Sequence, residues 1–337
     1  LALCTANLPD PAIDPAQDEE PADYFNTILY TGDGSSSRSL TGVGFKPDWV
    51  WTKERSSTSF HEVNDVVRGA NKQLFPNATD AEETATNKLT SFDSDGFTVG
   101  NSGSINQSSQ TYVAWNWLAG GSAVTNNDGD LTSSVSANTK AGFSIVAWTT
   151  GTGTVGHGLD KAPEIIFEKK RGASGDWIVD YTVVDGTLDY VRLNTTAAGT
   201  NGAIALPTTT VFTPNTGAST AVAYCFHSVD GYSKVGSYSA NNSSDGPFVY
   251  LGFRPAFILI KATNRTSHWI MQDNKRPGYN QTSIALFSNL NNAESTDRHV
   301  DLLSNGFKLR LTALDPNTNT AEYIYLAFAE QPFKYSN

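Results

Sequence analysis

The sequence predicts an all-β chain made of three tandem β-sandwich or jelly-roll-like repeats, each of about a hundred residues. Three observations carry this. A series of landmarks recurs three times in the same order. Only 17% of the 337 residues are charged, and Gly, Ser, Thr and Asn fill the difference, a composition of short strands and polar turns. Small and aromatic residues alternate in the apolar runs, as a half-buried strand requires. A single pseudo-threefold β-prism or propeller is the alternative, although its repeats are normally shorter.

The first landmark is a turn followed by an apolar run that ends on lysine. It reads Gly44-Phe45-Lys46-Pro47-Asp48-Trp49-Val50-Trp51-Thr52-Lys53 in copy one and Gly252-Phe253-Arg254-Pro255-Ala256-Phe257-Ile258-Leu259-Ile260-Lys261 in copy three. Copy two runs from Gly158 through Pro163 and Ile165-Ile166-Phe167 to Lys169, with a small insertion before its proline. An arginine follows each lysine: Arg55, Arg171 and Arg265. Next come an aromatic and a downstream aspartate, paired as Phe60 with Asp65, Trp177 with Asp180, and Trp269 with Asp273. Copies one and three share Ala81-Glu82 and Ala293-Glu294, then Ser94-Asp95-Gly96-Phe97 and Ser304-Asn305-Gly306-Phe307, which are hairpin signals. Copy two keeps only Thr210-Val211-Phe212 at that point. Each copy closes on an aromatic strand centred on Ala114, Ala223 or Ala327, which lie 109 and 104 residues apart. That period suits whole domains and is too long for a solenoid.

These landmarks divide the chain into an acidic Pro-rich linker (1–27), repeat one (28–121), a Ser/Thr/Asn/Gly-rich linker (122–140), repeat two (141–229) and repeat three (230–337). The front linker alternates Pro9, Pro11, Pro15 and Pro21 with acids, so an extended tether is expected, with something in front of it, since Leu1 is no translation start. Copies two and three are joined by the short passage 228–233 and should pack closely. Residues 80–88 alone have modest helix propensity, enough for one turn or a loop.

The net charge is −11. Such a field repels nucleic-acid backbones and anionic membranes, and no apolar run is long enough for a membrane helix. The first twenty residues lack the basic and apolar regions of a signal peptide. Cys4 and Cys225 are too few for a disulfide scaffold, and Cys225 reads as a small buried hydrophobe.

The search for chemistry gives no catalytic or metal-binding residues and no cofactor. His61, His157, His227, His268 and His299 are scattered, without metal-ligand spacing. No nucleophile elbow, phosphate loop or nucleotide fingerprint occurs, and Gly151-Thr152-Gly153-Thr154 joins strands without opening a helix. Glu82 and Glu83 sit in a polar loop, and Asp93 and Asp95 flank a hairpin turn, a role that accounts for Asp95. Asp128 and Asp130 lack the spacing of a calcium loop. Lys53, Lys169 and Lys261, with their arginines, fit edge protection and salt bridging at strand ends better than anion sites. Trp51, Trp115, Trp117, Trp177 and Trp269 recur at repeat-defining positions and read as core before sugar platforms.

The pattern Tyr30-Thr31-Gly32-Asp33-Gly34, Gly44-Phe45-Lys46-Pro47, Ser94-Asp95-Gly96-Phe97 and Tyr112-Val113-Ala114-Trp115 resembles a group of structural proteins in the virions of marine and freshwater tailed phages. So do Gly231-Tyr232-Ser233-Lys234-Val235-Gly236-Ser237-Tyr238 and the ending from Ala327 to Tyr335. The resemblance runs from about Tyr24 onward. In that group a lectin-like SPRY sandwich often precedes a segment similar to Leu3-Cys4-Thr5-Ala6-Asn7-Leu8-Pro9. It implies a non-enzymatic virion component: a tail fibre, spike or adhesin module that binds a host-surface glycan or protein. The alternatives are an architectural capsid-decoration or filament protein, and below it a polysaccharide depolymerase, which needs two carboxylates flanking a cleft. The expected partners are further copies in a homo-oligomer (a trimer, by likeness to phage fibres, though no heptads supply a seam) and other virion proteins. The residues leave the binding site itself unknown; it is expected where the copies differ.

Overall fold

The computed structural model describes residues 7–277 and 280–336, and it is all-β. Each copy contributes the same run of four antiparallel strands, a complete sheet in copies one and three and the middle of an eight-stranded sheet in copy two. In copy one the spatial order is Phe25–Thr31, Thr111–Trp117, Trp49–Glu54, Glu62–Asp65. Copy two repeats it with Phe143–Trp148, Ala221–Phe226, Ile165–Lys170, Ile178–Tyr181, and copy three with Ser233–Ser239, Glu322–Pro332, Phe253–Ala262, Ile270–Asp273. The strand that ends on the landmark lysine therefore lies between the closing strand and the strand after the conserved aromatic. Each copy is two-layered, because a smaller sheet covers the outer face. Copy one uses Arg38–Thr41, Gly96–Val99 and Leu89–Asp93; copy three uses Phe248–Tyr250, Gly306–Leu309 and Val300–Leu303. Copy two, which lacks the hairpin signal, has only Val155–Gly156 paired with Val211–Phe212.

Period-two alternation divides the buried side chains between two kinds of core. Outward-facing residues fill a private core in each copy, such as Val50, Tyr112 and Ala114 against Leu40, Phe97 and Val99. Inward-facing residues of all three copies meet in one common core. There Trp49 stacks on Tyr224 with ring centroids 4.4 Å apart, Phe25 on Phe328 at 5.0 Å, and Phe226 meets Phe328 at 5.8 Å. The three sandwiches are thus fused around a pseudo-threefold centre rather than strung as beads. Aromatic rings large enough to reach across the centre make this possible.

The segments expected as linkers are built into the body. Within 122–140, Val124–Asn126 and Ser133–Asn138 pair onto the sheet of copy two, because alternating residues such as Val135 find an apolar face there. In the acidic front segment, Ile13 is fully buried, Ala12 donates its backbone N–H to Asp230, and Tyr335 donates its hydroxyl to Asp14. The first strand begins at Phe25, inside that segment. Residues 80–88 hold the two-residue strand Glu83–Thr84, not a helical turn.

Candidate binding groove

The copies are locked by a set of contacts that repeats cyclically. The ring N–H of Trp177 donates to Phe75 O of copy one at 2.9 Å, that of Trp269 to Arg192 O of copy two at 2.9 Å. In copy one the tryptophan position is occupied by His61, whose Nε2 lies 3.0 Å from Phe287 O of copy three. Trp51 donates its indole N–H to His61 Nδ1, so that nitrogen is the acceptor and Nε2 carries the proton. Burial holds this imidazole well below its ordinary pKa, and it stays neutral. The chain thus closes from copy one to two, two to three and three to one, a head-to-tail contact that completes a ring.

Each copy braces its tryptophan position from within, and two of the three links add a charged clamp. Asn77, Asn194 and Asn289 accept the backbone N–H of His61, Trp177 and Trp269 at 2.9–3.0 Å. Five residues further on, Glu82 and Glu294 bind Arg171 and Arg55 of the next copy, each at 2.8 Å, while their backbone N–H groups donate to the same arginines' carbonyls. In the third link Gly199 donates to Thr263, and neither side carries a charge. Thr263, not Arg265, is therefore the counterpart of Arg55 and Arg171; Arg265 is exposed on the following turn.

The three lysines are likewise reassigned. Lys53, Lys169 and Lys261 are fully buried and do not protect a strand edge. Lys169 donates to Thr79 O across one link and Lys261 to Thr196 O across another. Burial pushes each ammonium down to about 8. Two further register corrections follow from the strand pairing. Trp49 faces Asp65, Phe257 faces Asp273, and Ile165 faces Tyr181, so Asp180 is displaced by one residue onto the opposite face. Lys53, Lys169 and Lys261 pair with Val113, Val222 and Ile324, which places Tyr325, not Ala327, level with Ala114 and Ala223. A shift of two leaves Ala327 on the same face.

The other sequence candidates take structural roles. Trp51, Trp115, Trp117, Trp177 and Trp269 are all buried in the common core. His157 accepts the Leu159 N–H, His227 lies 3.6 Å from Asp160, His268 packs on Phe287, and His299 precedes the strand Val300–Leu303. Asp95 accepts the N–H groups of Gly42 and Gly44, and Asp93 accepts the O–H groups of Ser91 and Thr98. Asp128 and Asp130 tie a turn to Asn126 and Thr154. Among the described residues no cluster of His, Cys, Asp or Glu has the form of a metal site. Cys225 is buried and free; Cys4 lies outside the described residues. One carboxylate pair escaped the sequence reading. Glu168 and Asp180 face each other in copy two, both buried, with Glu168 held by the Asn215 and Thr216 N–H groups. Burial raises both groups, and the neighbouring Glu168 pushes Asp180 well above the carboxylate range. Both carboxyls are closed off from solvent.

What differs between copies is the pair of side chains on the outer rim of each link. The positions are Phe60 and Phe75 in copy one, with rings 5.6 Å apart. They become Asp176 and Arg192 in copy two, ion-paired at 2.8 Å, and His268 and Phe287 in copy three, 5.3 Å apart. In copy one this rim opens into a groove of about 550 Å³, lined by Phe60, Glu62, Phe75, Asp80, Glu83 and Lys88 among others. Phe60 is 45% exposed. Lys88 Nζ sits 4.7 Å above the Phe75 ring, 3.0 Å from Glu62 and 3.5 Å from Glu83. Glu62 occupies the place of Ile178 and Ile270 beside the tryptophan position, and burial raises its pKa against the pull of Lys88. The Lys88 ammonium and the Ser104 hydroxyl are its hydrogen-bonding neighbours.

The match to known families spans the whole ring. Residues 20–332 fit the family described as a domain of unknown function, DUF7483. The chain belongs to the DUF7483 family. Its match covers all three copies as one unit, in keeping with their common core. No curated protein matches the chain. Phe60 and Glu83 were visible in the sequence, but the groove was not. Aligning the copies on their lysines rather than their aromatics would have exposed Glu62 as an acid where the other copies carry isoleucine.

Proposed function

We propose that this DUF7483 chain is a non-enzymatic virion component that attaches the particle to a host surface, as a tail fibre, spike or adhesin module. One observation carries the reading: the ties that hold the copies together repeat around the ring, while the rim pairs differ in all three, and in copy one Phe60 of that pair is 45% exposed. A rigid scaffold presenting changeable side chains suits recognition. The resemblance to tailed-phage virion proteins supports the setting, and the net charge of −11 argues against nucleic acid as partner. Oligomeric display would add avidity to weak single contacts. The test is a glycan array together with a host-cell binding assay on the assembled oligomer. Saturable binding to host cells is the expected result; no binding to cells or glycans overturns it.

A purely architectural role, in a capsid coat or filament, draws on a different feature. The strand Phe248–Tyr250 is the edge of its sheet, and Phe248 and Tyr250 are 45% and 51% exposed on it, a surface suited to chain–chain contact. Locating the chain on particles by electron microscopy separates the two readings.

A further inference from the structure

The groove of copy one has a feature that narrows its ligand. Its inner half already holds an ammonium group. Lys88 Nζ is placed over the Phe75 ring and between the Glu62 and Glu83 carboxylates, the arrangement that a cation–π contact and charge-assisted bonds favour together. The outer half repeats the aromatic-and-carboxylate chemistry, with the Lys169 ammonium buried behind Asp80 on the Thr79 carbonyl. Phe60 presents a half-exposed ring, and Asp80, exposed on the same groove, makes no ion pair among the described residues. Three carboxylates thus line the groove against one ammonium. Glu62 in addition is 1% exposed at its side chain and pairs with Lys88 at 3.0 Å, which sets a buried carboxylate at the back of the groove.

We infer that this groove binds a sugar carrying a free primary amine, with the ammonium set against Phe60 and Asp80 and the ring hydroxyls donating to the remaining carboxylates. The groove's net negative charge disfavours acidic polysaccharides, and like-charge desolvation opposes them further. Its volume lies within the range of about 300–1,000 Å³ typical of small-molecule sites, and the Ser59 and Ser104 hydroxyls that complete its lining suit a polyhydroxylated ligand. An N-acetylated sugar would present no charge to the carboxylates and is the informative comparison.

This inference rests on the attachment role proposed above, and the experiment separates the two. Isothermal titration of the full chain is run with a glucosamine tetramer, the N-acetylglucosamine tetramer and a tetralysine peptide. Phe60→Ala and Asp80→Asn are compared with Phe248→Ala, an exposed aromatic outside the groove. Binding of the glucosamine tetramer is expected, with the acetylated tetramer weaker by about tenfold or more, a difference of about 1.4 kcal/mol. Phe60→Ala and Asp80→Asn should each weaken it about tenfold, and Phe248→Ala should not. Equal affinity for both tetramers, tighter binding of tetralysine, or retention of affinity in both groove variants overturns the inference. If no oligosaccharide binds but the oligomer still binds host cells, the groove assignment fails and the attachment role stands; if neither binds, both fail.

Discussion

Replacing Trp177 by leucine tests whether the three copies are one cooperative unit. The indole is 1% exposed, stacks on Tyr224 at 6.3 Å and donates to Phe75 O across the link between copies one and two. Truncating a buried tryptophan costs about 3–5 kcal/mol when cut to alanine, and leucine recovers part of that. The orphaned Phe75 carbonyl adds about 1 kcal/mol, for a loss of about 4 kcal/mol. A chain of 337 residues has an unfolding entropy near 0.7 kcal/mol/K at roughly 2.1 cal/mol/K per residue, so Tm should fall by about 6 °C. Differential scanning calorimetry reads the outcome. The common core predicts a single peak that moves as a whole, and Trp269→Leu should move the same single peak. A peak of about one third of the enthalpy moving alone, with the remainder at the wild-type temperature, would refute the shared core as the source of stability.

Three further outcomes follow from local geometry. Glu168 and Asp180 have raised folded pKa values, so the folded state holds a proton that the unfolded chain releases; stability should decline as pH rises from the ordinary carboxylate range upward, and Asp180→Asn should flatten that decline in denaturant titrations. Glu82 behaves oppositely: burial works against its charge, but Arg171 and Arg68 hold its pKa below the usual range. Its contribution is present above that range and lost as pH falls through the folded value, and Glu82→Gln should cost about 1–3 kcal/mol at neutral pH. Gly96→Ala should cost far more than Gly42→Ala in chemical denaturation. Both have positive φ, but a Cβ at Gly96 would stand 1.9 Å from Leu40 O, whereas nothing lies within 4 Å of one at Gly42, leaving only a backbone cost of about 1–2 kcal/mol.

The fold class and the strand landmarks were legible because turn chemistry and period-two patterning are local. Ser94-Asp95 does make the two-residue turn, and the four landmark strands fall where the apolar runs do. The meeting of the copies was not legible. An inward-facing aromatic such as Trp49 looks the same in sequence whether it fills a private core or stacks on Tyr224 of another copy. Lys53, Lys169 and Lys261 misled for a related reason: a lysine at a strand end is normally solvated, and the backbone carbonyls that make burial tolerable, of the next residue in each case and of a neighbouring copy for Lys169 and Lys261, cannot be seen in the sequence. Asn77, Asn194 and Asn289 were missed because their neighbours have diverged (Pro76, Leu193 and Ser288), leaving one recurring polar residue in variable surroundings. The groove depends on Glu62, whose meaning appears only once Ile178 and Ile270 are seen at the equivalent positions.

Fusing three copies in one chain has a consequence that a homotrimer of single copies would lack. In a homotrimer a residue that opens a groove at one link opens it at all three. Here His61 replaces a tryptophan in one link only, and its smaller ring still reaches Phe287 O because Trp51 supplies the second contact. The charged clamp has been dropped at one link only, where a side chain on Gly199 would meet the Tyr181 hydroxyl at 2.8 Å. Each link can therefore lose one tie while the common core holds the ring closed, and each rim is free to carry its own chemistry: two phenylalanines, an aspartate with an arginine, or a histidine with a phenylalanine. The groove of copy one is what that freedom produces where the buried neighbour of the rim has also become an acid.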